Sequence, residues 1–183
     1  MGCDIHLHVN YTFKEEPKGS KKKTYWRSFG DQFSLGRNYL MFGCMCQGVR
    51  TDIEGALEAK ERLEPEDMSY SCFIDSVYNI CSDEDWDDDQ EKSCKLEDAL
   101  KWSELYRKKI YYTKENIPFA VDDPDNHSYS WLTLKEYKKA IKLYNKNKEN
   151  DCNLNVEYLA IKSLIQTLEK GGAITKLVFW FDN

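Results

Sequence analysis

The sequence predicts an α+β fold: a small, mainly antiparallel sheet whose first and last strands are both central, with helices packed on it. Near the N-terminus Ile5, Leu7 and Val9 alternate with polar residues, which is typical of a strand with one buried face. The final segment, Ile174 to Asp182, is almost continuously apolar, as expected for a strand buried on both faces. Several intervening segments carry helix signals, so helices are expected to cover the sheet.

Length and composition predict a single packed domain. The chain has 183 residues, of which 41% are hydrophobic and 14% aromatic. A net charge of −6 argues against a long nucleic acid as partner, because phosphates need a basic surface, but a small nucleotide could be held by a few arginines. Seven cysteines, with no signal peptide or membrane-spanning run, predict reduced thiols in the cytoplasm. Homo-oligomerisation stays open.

The first third of the chain is expected to form two strands and a short helix. The first strand should continue to Phe13, and Thr24 to Phe29 is a second strand beyond a polar connection. Asn38 is predicted to cap a short, mostly buried helix from Tyr39 to Gln47.

The middle of the chain changes composition. A capping-box pattern at Thr51–Glu54 predicts a helix through about Leu63. The acidic run Ser82 to Glu91 lacks the glycine and bidentate glutamate of a calcium loop, so we interpret it as a solvated loop. Leu96 to Lys108 has helical spacing. We expect residues from about 65 to 119 to form a peripheral insertion tolerant of trimming.

The last third begins with the polar stretch Asp122 to Leu132, interpreted as a loop that presents His127. Thr133 and Glu136 form a second capping box, which predicts a helix from Leu134 to Tyr144. A further amphipathic helix is expected from about Leu154 to Lys170, before two glycines.

The first strand is also the first candidate site. Asp4, His6, His8 and Asn10 share its polar face, and they include two of the three histidines in the chain. A rigid strand positions side chains more accurately than a loop does. The alternative is the solvated outer face of an edge strand.

The residue types suggest a metal-independent phosphodiesterase for a small nucleotide. His6 and His127 would act as general base and general acid, with Asp4 orienting one of them. Arg37 and Arg50 would bind the phosphate, although pairing with surface carboxylates is an alternative for each arginine. Polar or aromatic side chains would complete the site, with a base stacked on one of the rings. These further candidates are His8, Asn38, Tyr39, Ser128 and Trp131.

A metal site is not predicted, and neither is a cofactor. The string Asp4-x-His6-x-His8 resembles the first metal motif of amidohydrolase-like barrels, but the additional histidines and acidic ligands of those enzymes are missing. The cysteines contain no C-x₂-C pair.

Four segments together resemble a family of small phage and prophage proteins. They are Met1–His6, Gly36–Tyr39 with Gly48–Arg50, His127–Leu134 and Val178–Asn183. In that family position 8 is often aromatic, and a glycine is expected where this chain has Asn126. The resemblance implies an accessory protein made in an infected bacterial host, without an established activity. By analogy, such genes often counter host defence.

Three functions therefore stay open: a nucleotide phosphodiesterase, a sponge that binds a nucleotide signal without turnover, and a protein–protein inhibitor that uses the acidic segment. Convergence of His6, Arg37 and His127 in one pocket would favour the first two. An exposed acidic loop far from the histidines would favour the third.

Overall fold

The computed structural model describes residues 2–13, 25–82, 91–149 and 152–182. The strands are β1 (Ile5–Phe13), β2 (Arg27–Ser28), β3 (Phe33–Ser34), β4 (Val77–Cys81), β5 (Ser93–Lys95), β6 (Ile110–Tyr112), β7 (Pro118–Asp122), β8 (His127–Leu132) and β9 (Ala173–Phe181). The helices are α1 (Tyr39–Met45), α2 (Tyr70–Asp75), α3 (Leu96–Tyr106), α4 (Leu134–Asn147) and α5 (Val156–Lys170), with a short 3₁₀ helix at Pro65–Asp67.

The chain forms two compact units. The terminal unit comprises Met1–Cys72 and His127–Asn183, and the middle unit comprises Phe73–Asn126. The predicted insertion, from about 65 to 119, overlaps the middle unit but begins and ends earlier. Its tolerance of trimming stays a prediction.

The terminal unit contains a sheet with strand order β2-β1-β9-β8, in which β3 also pairs with β1. β1 and β9 are antiparallel along their whole length, from Ile5 opposite Phe181 to Phe13 opposite Ala173. Both strands are flanked on each side. The predicted α+β class and the central position of the first and last strands are confirmed.

One face of this sheet is apolar because of the alternation seen in the sequence. Ile5, Leu7 and Val9 lie on the same face as Phe179 and Phe181. Their side chains join those of α1, α4 and α5 in one buried core. The face is therefore closed to water by helices, as predicted.

The opposite face, here called the polar face, is also buried. His8 and Asn10 of β1 are 0% exposed, and their neighbour Trp180 is 1% exposed. The alternative interpretation of β1 as a solvated edge strand is therefore wrong.

An irregular segment, residues 56–69, crosses the polar face and is called the strap below. Lys60 Nζ lies 3.7 Å from the centroid of the Trp131 ring on β8. Further along, the carbonyl of Asp67 accepts a hydrogen bond from Lys176 on β9 at 3.1 Å. Ser69 N–H then donates to the side chain of Asn10 on β1. The strap thus spans from one edge of the sheet to its centre.

The strap occupies part of the segment in which a helix was predicted, and that prediction is wrong. Gly55 adopts φ +79° in a turn, which ends any helix begun at Thr51. Beyond it residues 56–64 have no regular secondary structure, and amides there bond elsewhere: Lys60 N–H donates to Ser130 Oγ at 3.0 Å. Tertiary hydrogen bonds have overridden the local capping signal.

Other local signals are confirmed. Asn38 caps α1 by accepting a hydrogen bond from Met41 N–H at 3.0 Å, although the helix ends at Met45 rather than Gln47. Thr133 and Glu136 form a complete capping box, and α4 extends to Asn147.

The middle unit has its own sheet, with strand order β5-β4-β7-β6. α3 packs on it through a small core of Cys94, Ala99 and Val121. Most of the acidic run lies at positions 83–90, outside the described residues, so its interpretation as a solvated loop is a prediction still.

All seven cysteines carry free thiols. Burial raises the pKa of Cys44, Cys46 and Cys94 to about 11. Among the described residues, no helix is long and apolar enough to cross a bilayer.

Candidate functional site

The antiparallel pairing of β1 with β9 brings the two ends of the chain together. Asp182, directly after β9, lies beside Asp4, directly before β1. Asp4 N–H donates to Asp182 Oδ1 at 2.9 Å, and Asp182 N–H donates to the Asp4 carbonyl at 3.3 Å. With His6 and Arg37, these residues form what we call the terminal cluster.

His6 and Asp182 form the inner pair of the terminal cluster. His6 Nε2 lies 2.9 Å from Asp182 Oδ2, and the side chains are 23% and 31% exposed. Burial alone would raise the pKa of Asp182, but the hydrogen bonds from His6 and Asp4 outweigh it and lower that pKa. Because Asp182 is a carboxylate, Nε2 carries the donated proton. The other ring nitrogen, Nδ1, is buried and has no hydrogen-bond partner among the described residues.

Asp4 and Arg37 form the outer pair. Arg37 Nε and Nη2 donate to the two carboxylate oxygens of Asp4 at 2.6 and 2.7 Å. This bidentate hydrogen bond is the main reason that the pKa of Asp4 is lowered and that of Arg37 is raised. Gly2 makes room for the guanidinium, because a Cβ there would overlap with Arg37 Nη1.

Tyr39 and Arg50 lie next to the outer pair. The Tyr39 hydroxyl accepts a hydrogen bond from Cys3 N–H at 3.4 Å, and its ring is 40% exposed. Arg50 Cζ lies 5.8 Å from the centroid of that ring. Arg37 bonds to Asp4, the residue after Cys3. Arg50 therefore lies over an exposed aromatic ring, and Arg37 lies in the same part of the molecule. This combination suits a phosphate attached to a planar group.

His127 and Ser128 are not part of this cluster. His6 lies opposite Trp180, and their rings stack with centroids 5.6 Å apart. His127 lies opposite Phe181, and those rings stack at 6.0 Å. Trp180 and Phe181 are consecutive in β9, so the two histidines lie on opposite faces of the sheet.

The structure therefore does not bring His6 and His127 into one pocket, so they cannot act there as base and acid. The convergence that would favour the two nucleotide hypotheses is only partial: His6 and Arg37 lie in one cluster, and His127 lies outside it. His127 is also not on a loop but is the first residue of β8. Its Nδ1 lies 2.9 Å from Ser128 Oγ, and Ser128 has φ +51° at an irregularity in the pairing with β9.

The remaining candidates have structural contacts. His8 is fully buried and stacks on Trp180 at 5.4 Å, so that ring lies between two imidazoles. Asn38, besides capping α1, donates to Asn155 Oδ1 at 3.1 Å. Trp131 has the ammonium group of Lys60 against its ring face. His8 is therefore closed to a ligand in this conformation, whereas Asn38 and Trp131 are partly exposed and engaged in contacts of the fold.

Asp182 was not among the predicted site residues. The signal for it was present, because the last strand runs directly into Asp182 and the motif that carries the phage resemblance includes it. Sequence alone did not show that this end of β9 would meet Asp4.

Comparisons with protein-family models, curated proteins and solved structures find no match for the chain. Among the residues that the structure describes, no group of three or more His, Cys, Asp or Glu side chains is arranged to hold a metal ion.

Proposed function

We propose that this protein binds a small phosphorylated ligand of nucleotide type at the terminal cluster. The observation that supports this most directly is the placement of Arg50 over the exposed ring of Tyr39, with Arg37 in the same part of the molecule. The arginines would bind the phosphate, and a planar part of the ligand would stack on Tyr39. Asp4 and Asp182 offset much of the positive charge of the two arginines, so a ligand of low negative charge is expected rather than a polyphosphate.

Binding without turnover fits the geometry better than hydrolysis. His6 is the only imidazole in the terminal cluster, and its exposed nitrogen is occupied by Asp182 while the other is buried. Proton transfer would first require Asp182 to move away. The phosphodiesterase hypothesis is therefore the alternative, and sequestration of a nucleotide signal is the proposal.

The biological setting of the proposal comes from the resemblance to small phage and prophage proteins. An accessory protein that sequesters a nucleotide signal would protect a phage from a defence that uses such a signal. The protein–protein inhibitor hypothesis is not developed further, because most of the acidic segment that motivated it lies outside the described residues.

The first experiment separates sequestration from turnover. Nucleoside monophosphates and cyclic dinucleotides would be incubated with the protein and analysed by mass spectrometry before and after heat denaturation. Depletion followed by release of the intact ligand supports sequestration. A product of altered mass supports the phosphodiesterase alternative, whereas unchanged free ligand throughout contradicts both.

A second experiment tests the site itself by calorimetry with the ligand so identified. Arg37→Gln should weaken binding at least about tenfold, since a charge-assisted phosphate contact is worth roughly 1.4 kcal/mol or more. Gly2→Ala preserves every charge but displaces the Arg37 guanidinium, so it should weaken binding in the same direction. Arg27→Gln, on β2, is the matched control and should leave affinity unchanged. Equal affinities for all three variants would refute this site.

A further inference from the structure

The polar face of the terminal sheet carries an unusual set of side chains. On β1 the face presents His6 and Asn10, and on β9 it presents Trp180 opposite His6. Asn10 also lies opposite Ser28 of β2, so Ser28 and the residue two positions before it, Trp26, belong to the same face.

Within the part of the chain that the structure describes, five polar side-chain atoms on this one face are buried and have no hydrogen-bond partner. They are His6 Nδ1, Asn10 Nδ2, Trp26 Nε1, Ser28 Oγ and Trp180 Nε1. Folded proteins rarely leave such atoms unpaired, and each case needs a cause such as a bound water or ligand. Five on the same face of one sheet indicate a common cause.

The chemistry of these atoms is biased towards donation. The two indole nitrogens and Asn10 Nδ2 can only donate, Ser28 Oγ can donate or accept, and His6 Nδ1 is an acceptor because Nε2 carries the proton. A complementary molecule therefore has more acceptors than donors. The Trp180 ring already stacks on His6 and His8, and Lys176 Nζ lies over the Trp26 ring. The indoles therefore offer their N–H edges rather than their faces, and a flat ring that meets those edges is the complementary shape.

The strap determines access to this face. It is held by contacts of charged side chains: Lys60 Nζ bonds to Glu136 at 2.7 Å and lies over Trp131, and the guanidinium of Arg62 lies 3.9 Å from the centroid of the Tyr129 ring. Residues 56–64 of the strap have no regular secondary structure. A ligand could reach the buried donors when these side-chain contacts open.

We propose that the polar face is a second binding site, covered by the strap, for an acceptor-rich planar heterocycle with two carbonyl groups and one N–H, as in uracil. Carbonyl oxygens would accept from the indole and amide donors, and the ring N–H would donate to His6 Nδ1. The site requires no phosphate, so it does not depend on the function proposed for Arg37 and Arg50.

The test uses uridine, which lacks a phosphate, and the indole ¹H–¹⁵N resonances of the five tryptophans. Single Trp→Phe variants assign the resonances. Saturating uridine should shift the Trp26 and Trp180 indole signals downfield, as hydrogen bonding does, and leave that of Trp102 in the middle unit unmoved. Adenosine, which has neither a carbonyl oxygen nor a ring N–H, should shift them less.

Lys60→Met tests the strap. The variant should bind uridine with a faster association rate, because one contact that closes the strap is lost, whereas Lys139→Met on the exposed side of α4 should not. An unchanged association rate for Lys60→Met would overturn the role of the strap. If uridine leaves the Trp26 and Trp180 signals unmoved, the ligand site is overturned. Cross-peaks from these signals to water would then assign the unpaired atoms to ordered water.

The two proposals can fail independently. One possible result is that uridine binds as expected but Arg37→Gln leaves the nucleotide affinity unchanged. In that case the polar-face proposal stands and the terminal-cluster proposal fails. The reverse result would retain the terminal cluster and remove the polar-face site.

Discussion

The two faces of the terminal sheet are both buried, but they achieve burial with different chemistry. The apolar face is covered by helices and is called the helical face below. Burial of Leu7 and its neighbours there stabilises the fold by about 25 cal/mol for each Å² of apolar surface removed from water. On the polar face, Asn10 and Trp180 must replace hydrogen bonds to water, and an unpaired group costs about 1–3 kcal/mol. Alternation in β1 thus shows which residues share a face but not whether the polar face meets water.

The largest effect should come from the helical face. Leu7 is fully buried in the core, so Leu7→Ala should lower the free energy of unfolding by about 2–5 kcal/mol through lost burial and a cavity. Urea denaturation measures this change. Phe13→Ala, at the half-exposed end of the same strand, is the control and should cost much less. A loss below about 1 kcal/mol for Leu7→Ala would be inconsistent with a close-packed helical face.

A smaller loss is expected on the polar face. Asn10→Ala removes the acceptor for Ser69 N–H and leaves that donor buried, which should cost about 1–3 kcal/mol in the same urea experiment. The loss should stay below that of Leu7→Ala, because Asn10 already has one unpaired donor whose removal is favourable. If Asn10→Ala were the more damaging change, the polar face would be the principal source of stability and the comparison would be reversed.

The terminal cluster should make stability depend on acidity. The folded-state pKa of Asp182 lies below its ordinary 3.8, because hydrogen bonds from His6 and Asp4 outweigh burial. This stabilisation is fully present above that ordinary pKa and is lost as pH falls through the lower folded-state value.

Asp182→Asn should therefore be less stable than the unmodified protein at pH 6, by about 1 kcal/mol because the pair is partly exposed and screened. Below about pH 4 the two proteins should converge. Urea denaturation across this range measures the difference. A gap that widens on acidification would mean that Asp182 is not a stabilising carboxylate.

The smallest effect should come from the strap. Lys60→Met should cost about 0.5–1 kcal/mol and speed amide exchange in residues 60–69, since it removes the ion pair with Glu136 and the contact with Trp131. The difference should shrink in high salt. Hydrogen exchange followed by mass spectrometry measures it, with Lys139→Met as the control. Unchanged exchange in the strap would show that it is fixed by other contacts.

The parts of the fold that the sequence predicted are those set by short-range patterns. Alternation placed Ile5 and Leu7 on one face, and Thr133 with Glu136 began α4 where its capping box predicted. The helix predicted from Thr51 failed because its amides bond to distant groups, Ser130 Oγ among them. No local pattern encodes a partner so far away in the sequence.

The candidate site shows the same limit. Asp4, His6, Arg37 and Tyr39 were proposed from residue type and do lie near one another. His127 was proposed on the same basis and lies on the other face, because its position depends on which residue of β9 it pairs with. Register is fixed by pairing over the whole sheet, and a shift of one residue changes the face.

The pairing of β1 with β9 also has a consequence for the rate at which the protein acquires its structure. His6 and Asp182 are 176 positions apart, so the central pairing of the sheet closes a very long loop. On a ribosome β1 emerges early and must wait for the last strand, while the contiguous middle unit can fold in the interval. Chains dominated by such distant pairings fold slowly. During that delay the apolar side of β1 is exposed to other chains, and synthesis in the cell therefore favours protection of this strand by a chaperone.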